Sequence, residues 1–246
     1  MDSGYYAACT ALMARAQALD TIANNLANTS TSGYRGQHNV FQSVLAQADT
    51  ATSSPLSQAV NSFGVLSGTR IDPTQGTLEH TGNDLDLAIE GPGFFVVQTT
   101  AGLVYTRGGN FRVSAKNQLV TAAGDPVLGE SGPVTVLGSP SSISPDGTIS
   151  TAGALSGKLK LVEFPAGTPL QNLGQTYYSA ADVSTKTSQS STVRQGMLED
   201  SNVSPIASVV ELVSVQREAE MMQRVLSMIN SDLNKVATQD LPRVGA

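Results

Sequence analysis

The strongest constraint on the fold of this chain is a seven-residue repeat of apolar side chains in residues 206–238. Side chains that recur at this period, with a second set three residues further on, form one stripe along an α-helix. The first set is Leu212, Ala219, Leu226 and Leu233, and the second is Val215, Met222, Ile229 and Val236. Such a helix would be roughly 45–50 Å long and could not bury its stripe without a partner.

The opposite end of the chain carries a matching stripe. Its repeat consists of Tyr5, Leu12, Leu19 and Leu26, with Cys9, Ala16 and Ala23 four residues after the first three. Ser204 is a suitable N-cap for the C-terminal helix. Pro205 suits the first helical position, because an N–H at that position would have no acceptor within the helix and proline has none. We therefore predict long N- and C-terminal helices that pair in a coiled-coil-like manner.

Further apolar residues lie outside these two stripes, among them Val209, Val213, Val225 and Met228. A simple two-helix dimer would instead place charged residues beside its seam. Apolar groups on more than one face therefore predict more than one partner helix for the C-terminal helix.

The middle of the chain has the pattern of an all-β domain. Short β-branched or alternating runs are separated by Gly, Pro, Asn and Asp, which favour turns. The predicted strands are residues 85–90, 94–99, 103–107, 111–113, 118–121, 134–137, 148–151, 158–164 and 193–197. Residues 34–70 contain few large apolar side chains and predict an extended connector.

These patterns together predict an α+β chain. Residues 1–33 and 204–240 would form a terminal helical domain, residues 34–75 an extended connector arm, residues 76–203 a central all-β domain and residues 241–246 a tail. Helices that belong to the two ends, and not to the sheet, are unusual for a closed enzyme.

The composition excludes several classes of function. A net charge of −6 without a basic cluster argues against nucleic-acid binding. No run reaches the ~20 apolar residues that a membrane span needs, and no basic segment with an apolar core indicates a cleaved signal peptide. Only 14% of residues are charged, against a norm of about 25%, which suits a surface covered by neighbouring molecules.

Three motifs, in order along the chain, resemble the flagellar rod and hook family of axial proteins. Residues 23–35 read Ala-Asn-Asn-Leu-Ala-Asn-Thr-Ser-Thr-Ser-Gly-Tyr-Arg. Residues 82–97 read Gly-Asn-Asp-Leu-Asp-Leu-Ala-Ile-Glu-Gly-Pro-Gly-Phe-Phe-Val-Val, and Tyr-Thr-Arg-Gly-Gly-Asn-Phe follows at 105–111. Residues 195–205 read Gln-Gly-Met-Leu-Glu-Asp-Ser-Asn-Val-Ser-Pro and lead into the C-terminal helix.

The chain departs from the family pattern at two places. Residues 115–118 read Ala-Lys-Asn-Gln where the family usually has Asp-x-x-Gly, so Asn117 would have to adopt any positive φ at that turn. Ala219 stands where an aromatic residue is common. Together with the short chain, this second departure favours the proximal rod over the distal rod or a hook-type subunit.

The resemblance implies a non-enzymatic structural subunit of the flagellar basal-body rod, without a cofactor. Its partners would be copies of itself, other rod proteins, the surrounding basal-body rings and the flagellar export apparatus. It would be exported without a cleaved signal peptide and assembled in the periplasm. The predicted assembly interface comprises Tyr5, Leu12, Leu19, Asn24, Asn25, Leu26, Asn28, Val209, Leu212, Val213, Val215, Met222, Val225, Leu226, Met228, Ile229 and Leu233.

Two other functions are consistent with parts of the sequence. Asp84 and Asp86 share a strand face near Glu90, and paired carboxylates are what glycoside hydrolysis needs, so an envelope enzyme acting on peptidoglycan is one alternative. A coiled-coil adaptor that forms a discrete oligomer is the other. His38 and His80 are 42 residues apart and match no metal-binding spacing.

Overall fold

The computed structural model describes residues 2–42, 65–136, 141–151, 154–165, 167–174, 176–180, 186–188 and 190–235. These residues fall into two compact units. The helical unit is formed by Met1–Leu26, His38–Thr69 and Pro205–Ala246, and the β-unit by Ala27–Gln37 and Arg70–Ser204. The predicted tail at 241–246, and much of the predicted connector, lie outside the described residues.

Two helices bracket the described chain, α1 (Asp2–Ala27) and α2 (Pro205–Lys235). The strands between them are β1 (Gln37–Gln42), β2 (Val65–Ile71), β3 (Leu78–His80), β4 (Leu87–Glu90), β5 (Phe94–Thr99), β6 (Gly102–Thr106), β7 (Arg112–Val113), β8 (Leu119–Val120), β9 (Leu128–Gly129), β10 (Gly132–Pro133), β11 (Ser141–Ile143), β12 (Thr148–Thr151), β13 (Ala154–Lys158), β14 (Leu161–Glu163), β15 (Leu170–Gly174), β16 (Tyr177–Ala180), β17 (Lys186–Thr187), β18 (Thr192–Gln195) and β19 (Met197–Glu199). None of the described helices is long and apolar enough to cross a membrane.

A six-stranded sheet, in the order β15-β16-β6-β5-β14-β17, is the largest sheet of the β-unit. Its strand β5 begins with the run Phe94–Val97, which is buried on both faces because successive side chains point in opposite directions. Phe95 packs into the larger core with Leu87 and Ile89. Phe94 packs on the other face with Tyr178, so one strand supplies both cores of the unit.

Smaller pairings surround this sheet. β18 pairs with β4 and β19 with β3, both antiparallel, so the last strands of the unit lie against its first ones. β11, β12 and β13 form a three-stranded sheet, and β1 pairs with β2 within the segment predicted as a connector. The return of β19 to β3 brings Glu199 opposite Leu78.

Some strands predicted from local sequence are present in the structure and others are not. The strands predicted at 94–99 and 148–151 are confirmed with their bounds. Asn117 has φ +56°, which confirms the positive φ predicted there, and α2 begins at Pro205 as predicted. The strand predicted at 134–137 is wrong, because the described residues 134–136 make an isolated bridge beside β10 instead.

The predicted coiled-coil-like pairing of long terminal helices is wrong. In the part of the chain that the structure describes, one helix lies at each end and strands predominate between them. Among the described residues, the cluster that joins the helices consists of Ala18, Ile22 and Val215, flanked by Leu19 and Leu212. This apolar cluster covers residues 18–22 of α1 and 212–215 of α2, which is about one turn of each helix.

The physical reason lies in the composition of α1. Its buried residues include Ala11, Ala14, Ala18 and Ile22, a stripe that lies beside the predicted one, while Leu12 is only half-buried. Alanine is apolar but small, so an alanine-rich helix has several apolar stripes and none with the volume that knobs-into-holes packing requires.

Gly109 provides a test of how the β-unit is held together. A Cβ at this position would lie 1.6 Å from the backbone oxygen of Leu87, whose N–H bonds to the Gly109 carbonyl. We expect Gly109→Ala to lower the free energy of unfolding by more than about 3 kcal/mol in urea titrations, because two backbones must separate. Gly124→Ala is the control: that site has open space and only a positive φ, so it should cost about 1 kcal/mol. Equal losses would contradict this account.

Candidate functional site: a buried ion triad and an exposed apolar helix face

Three charged side chains from distant parts of the β-unit meet in its interior. Nη2 of Arg35 lies 3.0 Å from Oε1 of Glu199, and Nη1 of Arg107 lies 3.1 Å from Oε2 of the same carboxylate. All three side chains are 3% exposed or less. We call Arg35, Arg107 and Glu199 the ion triad.

The triad has one more positive charge than negative, and its surroundings compensate for this. Arg107 donates to the carbonyl oxygens of Ile89 at 3.3 Å and Gly91 at 2.5 Å, and its guanidinium carbon lies 4.9 Å from the centre of the Phe94 ring. The side chain of Arg35 donates to the carbonyl of Pro73. Carbonyl oxygens and an aromatic face both stabilise a buried cation, so the excess charge is tolerated.

Glu199 also holds two backbone segments directly. Its carboxylate accepts from the N–H of Gly76 at 3.2 Å, and its own carbonyl accepts from the N–H of Gly33 at 2.6 Å. Gly33 has φ +73°, and a Cβ there would lie 2.3 Å from the backbone nitrogen of Gly108. Only glycine fits such an approach, so the turn after α1 is pressed against the strand end that carries Arg107.

A second set of hydrogen bonds extends this junction. The side-chain oxygen of Asn202 accepts from the N–H of Gly36 at 2.8 Å, and its amide donates to the Thr74 carbonyl at 3.0 Å. The N–H of Asn202 donates to the Tyr34 carbonyl at 3.4 Å. Residues 33–36 and 199–202 are therefore bonded to each other along their length, and we call this arrangement the clasp.

Burial shifts the pKa of Arg107 and the pKa of the neighbouring Tyr178. Burial, and then the neighbouring charge of Arg35, lower the pKa of Arg107 to about 10, while Glu199 acts in the opposite direction. Burial raises the pKa of Tyr178, whose hydroxyl accepts from the backbone N–H of Arg35 at 3.0 Å, to about 12. At neutral pH Arg107 is therefore charged and Tyr178 is neutral, as the hydrogen bonds require.

The sequence motifs explain where the triad comes from, although sequence reasoning missed it. Arg35 closes the first motif, Arg107 ends the Tyr-Thr-Arg run and Glu199 lies in the third motif. A charged residue inside each motif, in a chain with few charges, was the available signal. Without the fold, nothing indicated that residues so far apart in sequence share a site.

In the helical unit, α1 and α2 run in opposite directions where they touch. Arg15, one turn before Ala18, pairs with Glu218, one turn after Val215, at 3.2 Å. This ion pair is about one third exposed, so it contributes little stability. The apolar cluster is therefore the main contact.

The predicted interface residues occupy different environments. Asn25 and Val215 are buried, Asn24 is exposed, and Leu12, Leu19, Leu26 and Asn28 are half-buried. On α2, Leu212, Met222 and Leu226 are half-buried, whereas Val209, Val213, Val225 and Met228 are exposed. Tyr5, Ile229 and Leu233 lie in helices, but their side chains are outside the described part.

The exposed apolar residues of α2 lie mainly on one side of the helix. At 100° per residue, Val213 and Met228 lie about opposite the Val215 contact. The same region contains Ile206, which is 79% exposed and was not among the predicted residues. We call this surface the outer face of α2 and define it by Ile206, Val209, Val210, Val213, Met221, Val225 and Met228.

The acidic residues of the alternative hypothesis make separate contacts. The carboxylate of Asp86 accepts from the Asn83 side chain at 3.0 Å, and that of Glu90 pairs with Arg194 at 2.8 Å on the surface. His38 and His80 are both exposed. Among the described residues, no group of three or more His, Cys, Asp or Glu side chains could hold a metal ion.

Family models match the chain at its beginning, middle and end. The model described as "Flagella basal body rod protein" matches residues 6–35, that for the "Flagellar hook protein FlgE/F/G D1 domain" matches residues 88–154, and that for the "Flagellar basal body rod FlgEFG protein C-terminal" matches residues 194–239. Each of the three matches contains one member of the ion triad, with Arg35 in the first and Glu199 in the last. Arg107 lies within the middle one.

Curated relatives match almost the whole chain. The flagellar basal-body rod protein FlgF of Caulobacter vibrioides is 32% identical over 99% of this chain and 100% of its own length. FlgF of Salmonella typhimurium is 33% identical over 94% of this chain and 96% of its own. FlgG of Buchnera aphidicola, also a flagellar basal-body rod protein, is 32% identical over 93% and 96%.

The chain therefore belongs to the family of flagellar basal-body rod proteins. Within that family it is a structural subunit of the proximal rod type, in agreement with the resemblance seen in its sequence motifs.

Glu199 should be far more important for stability than a surface glutamate. In Glu199→Gln an amide replaces the only anion of the triad and leaves two buried guanidinium groups without a counter-charge. We expect a loss of roughly 3–5 kcal/mol in the free energy of unfolding of the β-unit, measured by urea titration. Glu90→Gln, which breaks the exposed pair with Arg194, is the matched control and should cost less than about 1 kcal/mol. Similar losses in both variants would show that the triad is dispensable.

Tyr178 should make the β-unit sensitive to alkaline pH. Its folded pKa of about 12 lies above the unfolded value of 10.0, so its contribution is complete below pH 10 and is lost as the pH rises through about 12. The stability difference between the unmodified chain and Tyr178→Phe, from urea titrations, should therefore shrink by about 2 kcal/mol between pH 9 and pH 12. A difference that does not change with pH would refute this assignment.

Proposed function

We propose that the outer face of α2 is a subunit interface, through which this rod subunit polymerises with copies of itself and with other axial proteins. The polymer would be the hollow drive shaft that transmits torque and conducts exported subunits. The single observation that supports this most is the exposure of seven large apolar side chains on one helix. Exposed apolar patches of this kind are typical of interaction sites in proteins.

The distribution of apolar groups around α2 favours helical neighbours. Val215 and Ala219 face the contact with α1 and are buried, while Val213 and Met228 on the other side are exposed. A surface helix normally places polar residues opposite its buried stripe. An apolar outer face therefore needs a second partner. Leu226 and Met222 lie on the same side of the helix as Val215 and are half-buried.

The remaining predicted interface residues fit the same proposal. On α1, Asn24 is exposed and would lie within the surface that a neighbouring subunit covers. Met13 is 68% exposed and adds an apolar contact. Such mixed surfaces allow a subunit to pack on several neighbours at once, as a tubular assembly requires.

We further propose that the subunit is not an enzyme and that it works in the periplasm. It would be exported without a cleaved signal peptide by the flagellar export apparatus, and the basal-body rings would surround the assembled rod. Support for a non-enzymatic role comes from the acidic residues near β4, since Glu90 is bound in an ion pair and Asp86 by Asn83.

The outer face can be tested in cells of the source organism by placing a charge on it. Val213→Asp and Met228→Asp should each abolish motility, because a carboxylate cannot be buried unpaired at an apolar interface. The purified variants should keep the circular dichroism spectrum and urea midpoint of the β-unit. Motility would be scored by swimming in soft agar, and rod assembly by electron microscopy of isolated basal bodies.

Gln223→Asp is the matched control for these variants. Gln223 is an exposed polar residue of the same helix, so the change adds the same charge outside the apolar patch, with a loss of helix propensity at least as large as in Val213→Asp. It should leave motility largely intact. Motile cells carrying Val213→Asp, or cells equally impaired by Gln223→Asp, would contradict the proposed interface.

A further inference from the structure

The clasp lies close in sequence to both helices. Six residue steps separate Ala27, the last residue of α1, from Gly33, and three separate Asn202 from Pro205, the first residue of α2. Between the ends of the two helices lie 177 residues of chain. The bonds between residues 33–36 and 199–202 therefore replace this long loop by a path of about ten residues.

Loop length determines how often two segments of a chain meet. The effective concentration of one segment near the other falls roughly as the −3/2 power of the length that joins them. A reduction from 177 residues to about ten raises that concentration about 70-fold. This factor needs no additional contact between the helices.

The helix contact is small enough for such a factor to matter. Among the described residues its apolar cluster contains Ala18, Ile22 and Val215, with Leu19 and Leu212 at its margin. Two of the three central residues have small or medium side chains, and the accompanying ion pair of Arg15 with Glu218 is partly exposed. A contact of this size is marginal when its two halves are joined by a long flexible loop.

We propose that Glu199 is a positioning residue: it holds residues 33–36 and 199–202 together in the clasp, and the clasp lets the two terminal helices meet. The β-unit then has a function beyond its own surface: it closes the loop that would otherwise keep the helix ends apart. Glu199 acts through its carboxylate on Arg35 and Arg107 and through its carbonyl on Gly33. This role of Glu199 involves only contacts within this chain and is independent of the proposed subunit interface.

The test measures the closed and open populations of the helix contact in the purified full chain. Pyrene maleimide would be attached to Arg15→Cys and Glu218→Cys in a Cys9→Ser background, because these positions are adjacent and give excimer emission only when the helices meet. The ratio of closed to open molecules would be read at a urea concentration where about half of the excimer is lost. Near-ultraviolet circular dichroism of the buried tyrosines would report that the β-unit is folded.

A linker series separates the tether from the stability of the β-unit. Insertions of ten and thirty Gly/Ser residues between Val203 and Ser204 leave the clasp intact and lengthen the path about two- and fourfold. The closed-to-open ratio should fall about threefold and about eightfold. A ratio that does not respond to linker length would overturn the proposal.

Glu199→Gln provides the second arm. Whether it opens only the clasp or unfolds the β-unit, the helices are again joined by a long loop, so the ratio should fall by up to about 70-fold. Glu90→Gln should leave it unchanged. A ratio unaffected by Glu199→Gln, or no excimer in the chain without insertions, would also overturn the proposal.

Discussion

The structure of the β-unit depends on one buried carboxylate. Glu199 pairs with two buried guanidinium groups, its carboxylate accepts from the N–H of Gly76 and its backbone carbonyl accepts from the N–H of Gly33. Burying charges is costly unless every partner is present, so the three segments that supply them must assemble together. The result is an all-or-none junction between the beginning, the middle and the end of the unit, and each of these three regions contains one of the three sequence motifs.

The β-unit and helix α2 differ in how they satisfy their apolar and charged groups. The interior residues of the β-unit make their ion pairs and apolar contacts with one another. Helix α2, in contrast, buries Val215 and exposes an apolar outer face. A self-contained β-unit can fold in one chain, while a helix that is apolar on two sides needs neighbours. A rod subunit needs both properties, because it must fold as a single molecule and also pack into a continuous assembly.

Much of the fold follows from local sequence, and the parts that do not follow have identifiable causes. The run Phe94–Val97 predicts β5 with its bounds because continuous apolar residues are typical of a strand buried on both faces. Strands β13 and β15 are rich in Gly, Ser and Asn, which have a low preference for strands, so these strands form because they pair with their neighbours.

The coiled-coil prediction failed because α1 buries a row of alanines beside the leucine repeat that suggested a seam. The ion triad was not predictable, since 72 residues separate Arg35 from Arg107 and 92 separate Arg107 from Glu199.

Hydrogen exchange at the amide of Gly33 tests the central role of Glu199 most directly. This amide lies in the turn after α1, where a surface loop would exchange quickly, yet it donates to the Glu199 carbonyl at 2.6 Å. If the junction is all-or-none, the Gly33 amide exchanges only when the whole β-unit unfolds, with the same free energy and urea dependence as amides of β5. Exchange of Gly33 through a local opening, with a low free energy that urea does not change, would show that the segment is merely attached and would contradict the account.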